Sequence, residues 1–352
     1  AQVLKQGEVQ GSDVAAHSAG VLDIKTTILP DADALFLTAI DRYGHELWRW
    51  TFPVNKLNQA NEVLSPLSNK VTSTETENEL TVKAKNHTFI FSKKDGQLKG
   101  VSVNNRKISF ANGPRFIGAR RADRSLDQFY NHDDEKAKEK DRTYSEFPDA
   151  AVFTKLDVKE DGGNLIVTAD YKLGNLDKVQ WTINPNGEAV LDYTYNFSGV
   201  VDLMGICFDY PEDQVISKRW LGAGPYRVWQ NRIHGTQYDV WENDYNDPIP
   251  GETFTYPEFK GYFGSVSWMN IRTKEGTISL TNETPDAYIG VYQPRDGRDR
   301  LLYTLPESGI SVLNVIPPVR NKVNSTDLCG PSSQPKWVNG PQSGRIIFRF
   351  ME

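Results

Sequence analysis

Runs of five to eight residues rich in Val, Ile, Thr and aromatics recur along this chain, and Gly-containing turn pairs cut them apart. The runs fall at residues 35–39, 80–84, 87–91, 165–171, 190–197, 277–281 and 345–350, several of them alternating. The turn pairs are Asp95-Gly96, Asp161-Gly162, Asn186-Gly187, Glu275-Gly276 and Asp296-Gly297. Such pairs suit tight hairpins, because Gly adopts positive φ without a steric penalty. Residues 89–103 read as one hairpin turning near 94–96. A helical signal is confined to residues 133–142, which are charged and rich in Lys, Glu and Ala and read as a solvated surface excursion. The fold class that follows is all-β and antiparallel.

With 352 residues the chain is long enough for two domains and can bury a core without disulfides or metal. Residues 56–74 are rich in Asn, Ser, Pro and Thr and lack an apolar period, which predicts a linker at 58–75 between units 1–57 and 76–352. In the first unit Trp48, Trp50 and Phe52 alternate with Leu47, Arg49 and Thr51, as in the closing half of a small β-sandwich. No apolar run approaches the roughly 18 residues of a membrane span, so no membrane partner is expected. Forty basic against 46 acidic residues, a net charge of −6, argues against nucleic acid. Cys207 and Cys329 have no Cys or His neighbours at zinc spacing and read as buried thiols, with one bridge between them as the alternative.

Eight Trp and fifteen Tyr against three Met suit saccharide contact, since aromatic faces stack on the C–H faces of sugars. The competing account is a β core filled with rings. The most distinctive stretch is Trp220-Leu-Gly-Ala-Gly-Pro-Tyr-Arg-Val-Trp-Gln-Asn-Arg232. Its two glycines and proline predict a sharp loop after a strand, which then presents Tyr226, Arg227, Trp229, Asn231 and Arg232 within seven positions. Phosphate binding is a poor fit, as no Lys-Ser/Thr follows the glycines.

Gly222-Ala-Gly-Pro-Tyr-Arg-Val-Trp-Gln-Asn-Arg232 resembles the Gly-x-Gly-Pro-x-Glu-Asn-Tyr-x-Asp-Arg signature in the large C-terminal domain of glycoside hydrolase family 2 β-galactosidases. Other pieces fall in the same order. Phe89-x-Phe-x4-Gly96-x-Leu98 is similar to that domain's opening hairpin, and Pro114-Arg-Phe-x-x-Ala-Arg-Arg-Ala122 to its Arg-Ala loop. Tyr256-Pro-Glu-Phe-Lys-Gly261 is similar to its Pro-x-Glu-x-Gly segment, and Gly7 to Pro53 to the second half of the preceding immunoglobulin-like domain.

The resemblance implies a partial Ig-like β-sandwich followed by an antiparallel β-supersandwich of the galactose-mutarotase type. It implies the C-terminal portion of a β-galactosidase-like hydrolase, a piece of a longer polypeptide whose catalytic glutamates lie in a TIM barrel on the N-terminal side. Nothing here alternates strands with helices as a barrel does, so no catalytic residue is nominated and the chain alone is expected to be inactive. The implied partners are that catalytic domain and a β-galactoside or related glycan, and such enzymes are often exported, which favours a periplasmic or secreted address. The site residues nominated for sugar contact are Tyr226, Arg227, Trp229, Asn231, Arg232, Trp241, Glu258 and Trp337. Where the signature carries Glu-Asn this chain has Arg227-Val228, and Asn231 replaces its Asp. Residues 328–337 stand where members carry a Gly-Gly-Asp-x-Ser-Trp loop, and they keep Trp337 while losing the acid. These departures remove hydroxyl acceptors, and Arg227 favours an anionic glycan. No cofactor is expected; a structural Ca2+, Mg2+ or Na+ would find oxygen ligands at Asp209, Glu212 and Asp213. Two alternatives stand beside this reading: a free-standing carbohydrate-binding module, and an aldose mutarotase-like epimerase using His234 and Glu258.

Overall fold

The computed structural model describes residues 3–27, 29, 32, 34–54, 70–121, 144–147, 150–244, 261–291, 306, 308–318 and 330–352. The helical signal at 133–142, the Asp296-Gly297 turn, Glu258 and Cys329 lie outside the described residues. The chain divides into two compact units, 1–62 and 63–352.

In the first unit β1 (Ala34–Ile40) and β2 (Glu46–Pro53) pair as an antiparallel ribbon. The connecting turn is held by the Asp41 carboxylate, which accepts the N–H groups of Tyr43 and His45 at 2.8 Å each. Trp48, Trp50 and Phe52 stand opposite Ala39, Leu37 and Leu35. Each of the three rings is about half exposed.

The second unit opens with β3 (Thr72–Glu75), β4 (Glu79–Ala84), β5 (His87–Ser92), β6 (Leu98–Val103), β7 (Arg106–Ile108), β8 (Ala111–Arg121) and β9 (Tyr144–Glu146). It continues with β10 (Val152–Asp161), β11 (Asn164–Lys172), β12 (Leu176–Ile183), β13 (Ala189–Val201), β14 (Leu203–Asp209), β15 (Val215–Gly224) and β16 (Gln237–Asp244). The last strands are β17 (Trp268–Thr273), β18 (Gly276–Asn282), β19 (Tyr288–Val291), β20 (Ile310–Val315) and β21 (Lys336–Met351). Two sheets result. One has nine strands in the order β10-β11-β12-β13-β21-β18-β17-β15-β16. The other has ten, running β19-β20-β14-β8-β6-β5-β4-β3 with β7 on β6 and β9 on β8. Among the described residues the ladders between these strands are antiparallel, and the all-β expectation holds.

Each run singled out in the sequence lies in a strand, and four of the five turn pairs close hairpins. Gly96, Gly162 and Gly187 carry φ of 73°, 58° and 86°, the conformation that selects glycine. The sheets share one core. Phe110 stacks on Phe208 at 4.5 Å between centroids, and Phe348 from the opposite sheet sits 5.1 Å from Phe110 and 5.7 Å from Phe208. Trp181 closes on both Phe208 and Phe348. The rings that fill the space between sheets are chiefly phenylalanines, joined by Trp181, Trp220, Tyr193, Tyr195 and Tyr210. β14 and β20 are buried almost throughout, because a second apolar cluster covers the outer face of their sheet.

Candidate functional site: the loop after β15

That second cluster carries the signature loop. Ile117 and Ala119 of β8, Leu203 and Cys207 of β14, and Leu313 of β20 form a floor, and Val228, Trp229 and Tyr262 pack on it. The glycines ahead of the loop allow the close approaches that shape it. A Cβ on Gly222 would lie 3.0 Å from the Gly264 carbonyl oxygen, and one on Gly224 would lie 2.4 Å from the Trp241 ring. Ala223 N–H donates to Gly264 O at 2.9 Å, and the Gly224–Pro225 bond is cis.

Beyond Pro225 the chain runs antiparallel to Tyr262, with Val228 and Tyr262 exchanging N–H···O bonds of 2.7 and 2.8 Å. A side chain on Gly261 would strike the Val228 carbonyl at 2.4 Å, so glycine is what lets these two segments meet. Trp229 and Arg232 then close a turn. The Gln230 side chain donates to the carbonyls of Ser332 at 3.0 Å and Gln334 at 2.7 Å, and Asn231 Nδ2 donates to Ser333 Oγ at 3.0 Å. Four sequence motifs far apart in the chain thus converge: the strand after Pro114, the signature loop, Gly261 and the 330–334 segment.

The nominated residues divide by exposure. Trp229 is 2% exposed with its indole edge-on to Tyr262 at 5.6 Å, so its faces belong to the core. Arg227 is 5% exposed and its guanidinium lies 5.3 Å from the Phe263 centroid, a cation–π contact. Trp241 is partly buried over Gly224 and donates through Nε1 to Gln237 O at 3.1 Å. Tyr226 and Arg232 are exposed, and Trp337, at the start of β21, is 70% exposed. Trp337 follows Gln334 by three residues, at most about 10 Å of extended chain. Of the nominated residues, Asn231 bonds to the 330–334 segment. His234 is exposed in the turn beyond. Gln230 and Tyr262 were not among the nominated residues. Only pairing across the fold reveals them, and no local pattern marks either.

Among the described residues no three of His, Cys, Asp and Glu converge on a point where a metal would sit. Asp209 is engaged otherwise: it accepts Arg115 Nη2 and Asn112 Nδ2, each at 2.6 Å. Burial works to raise its pKa, but these hydrogen bonds outweigh it and hold the carboxylate below its ordinary range. Glu212 and Asp213 lie on the short 3-10 turn that follows. Cys207 is buried, and its sulfur accepts Arg115 Nη2 at 3.9 Å.

Solved structures similar to this chain include galactose 1-epimerase from Lactobacillus acidophilus NCFM, at 10% identity and a TM-score of 0.44, with 81% of this chain and 99% of that one covered. An aldose epimerase homologue from C. elegans aligns at 7% identity and a TM-score of 0.37 over 80% of this chain and 99% of that one. A copper-containing benzylamine oxidase from Hansenula polymorpha aligns at 7% identity and a TM-score of 0.31, over 90% and 68% of the two chains. No curated protein matches the sequence. The family model described as "Beta galactosidase small chain" matches residues 83–316, which span the opening hairpin, the floor strands and the whole signature loop. On that match, covering well over half of its length, the chain belongs to the β-galactosidase small-chain family.

Proposed function

We propose that this chain is the scaffolding, sugar-contacting portion of a β-galactosidase-type hydrolase, working with a catalytic domain that carries the glutamate pair. A retaining glycosidase needs two carboxyls about 5–5.5 Å apart on either side of the scissile bond, and the loop after β15 presents none in its described part. What the loop does present is exposed Tyr226 and Arg232 and half-buried Asn231, and the segment it docks leads three residues on to the exposed Trp337 indole. The observation that supports the reading is the bond set from Gln230 and Asn231 to residues 332–334, a segment that ends three residues before Trp337. In this reading the Trp337 indole is the platform that stacks on the sugar while the catalytic domain breaks the bond.

The test is a tryptophan-fluorescence titration with lactose on the full chain. Saturable quenching is expected, lost in Trp337→Ala and kept in Trp241→Phe. A flat titration, or quenching that survives Trp337→Ala, would sink the proposal. The same samples should show no release of nitrophenol from a nitrophenyl β-galactoside, and turnover by the chain alone would place the catalytic groups here instead.

A further inference from the structure

A second polar cleft lies on the outer face of the nine-stranded sheet, away from the signature loop. β21 is 16 residues long, and it pairs with β13 from Lys336 to Phe348 but with β18 only from Ile346 onward. Past Ile346 the chain leaving β18 rises beside the strand instead of pairing with it. Glu283 N–H donates to Arg345 O at 2.9 Å, and Thr284 Oγ1 accepts Arg345 N–H at 3.0 Å. The wall so formed turns a sheet surface into a recess of about 400 Å³.

Register determines what faces into it. Gln180 is opposite Asp192 and Asp192 opposite Arg345, forming one row across three strands. Lys178, Thr194 and Ser343 form the next row. Side chains in one row stand about 4.8 Å apart, the strand spacing, comparable with the width of a sugar ring. Arg345 Nη1 donates to both Asp192 oxygens at 3.1 and 3.2 Å, and its Nε lies 3.1 Å from Glu283 Oε2. A carboxylate accepts about four hydrogen bonds, so Asp192 and Glu283 keep acceptor capacity for a ligand. Tyr193 and Gly344, opposite each other between the two rows, complete the lining, while the alternation turns the Tyr193 ring to the core face, where it is 3% exposed.

Charge then selects the ligand class. Two cations, Lys178 and Arg345, face two anions, Asp192 and Glu283. A free anion or cation would meet repulsion as strong as the attraction. A neutral ligand with many hydroxyls meets donors and acceptors in alternation, each charge-assisted. We propose that this cleft is an auxiliary site for a neutral saccharide, separate from the Trp337 platform. Six residues of β21 part Ser343 from Trp337, about 20 Å at strand rise, so one monosaccharide cannot occupy both.

The experiment maps amide shifts of the full-length chain titrated with lactose and with maltose. The proteins are the wild type, Trp337→Ala and Ser343→Trp. Ser343 is exposed and points outward, so the indole fills the cleft without entering the core. Shifts at residues 178–194 and 343–345 that saturate in wild type and Trp337→Ala, with at least tenfold weaker binding in Ser343→Trp, support the proposal. They do so whether or not the Trp337 platform binds. Absence of saturable shifts there, equal binding in Ser343→Trp, or a response there to sodium phosphate or calcium chloride alone would overturn it.

Discussion

The His87 imidazole ties the two sheets at their rim: Nε2 donates to the Phe350 carbonyl at 2.8 Å while the ring stacks on Phe89 at 6.2 Å. Gly187 makes room for it, because a Cβ there would lie 2.0 Å from Nδ1. Burial, joined by the Lys85 charge, holds the His87 pKa below the ordinary 6.5, with the Phe350 carbonyl pulling the other way. The sign follows from linkage. Above 6.5 both folded and unfolded states are neutral and the full contribution is present. Below it the unfolded chain takes up a proton that the folded one refuses, so stability falls until the pH passes the depressed folded value. Urea midpoints should therefore drop between pH 7 and pH 5 in the wild type and change less in His87→Gln; parallel pH profiles would remove His87 as the cause. Residue-scale reading of the sequence had a matching blind spot. Trp229 and Trp337 were equal candidates in the sequence, because nothing local separates an indole that ends in a core from one that ends in solvent. Their exposures of 2% and 70% come from Tyr262, which meets Trp229 only through long-range pairing.

At the scale of elements, the hairpins and the central strands β13 and β21 were legible, whereas β14 and β20 of the other sheet were not. β4, β5, β11 and β18 follow from short alternating or apolar runs bounded by X-Gly turns. β14 and β20 are covered on both faces, so they show continuous apolar runs with no period to identify them. The docking of the 330–334 segment was equally hidden, since it depends on one glutamine reaching about a hundred positions along the chain. Gln230 bonds two carbonyls at once, and each such bond contributes about 1 kcal/mol net. Gln230→Ala should thus lower global stability by only about 1–2 kcal/mol, as the freed carbonyls return to water. Its larger effect should be local, with faster hydrogen exchange at residues 333–338 and a weaker lactose response from Trp337. Unchanged exchange in that segment would mean that the Asn231–Ser333 bond suffices to hold it.

For the molecule as a whole, the question is whether the two large sheets unfold together. Their shared cluster joins residues from Val71 to Phe350. Phe208 sits at its centre, touching Phe110 of its own side and Trp181 and Phe348 of the other. Removing its ring leaves a cavity bordered by both sheets, so neither can recover the lost contacts by a local shift. A buried Phe→Ala change costs about 3–5 kcal/mol, a large share of the roughly 5–15 kcal/mol that holds a typical domain. Phe208→Ala should lower the unfolding free energy by that amount, read as a lower urea midpoint with the slope of the transition unchanged. Far-ultraviolet and near-ultraviolet dichroism should move together, since Trp181 reports the nine-stranded sheet while the backbone signal reports both. A biphasic loss, with the Trp181 environment outlasting the rest of the β signal, would mean that the nine-stranded sheet stands without its partner. The candidate platform on β21 would then survive unfolding of the floor beneath the signature loop.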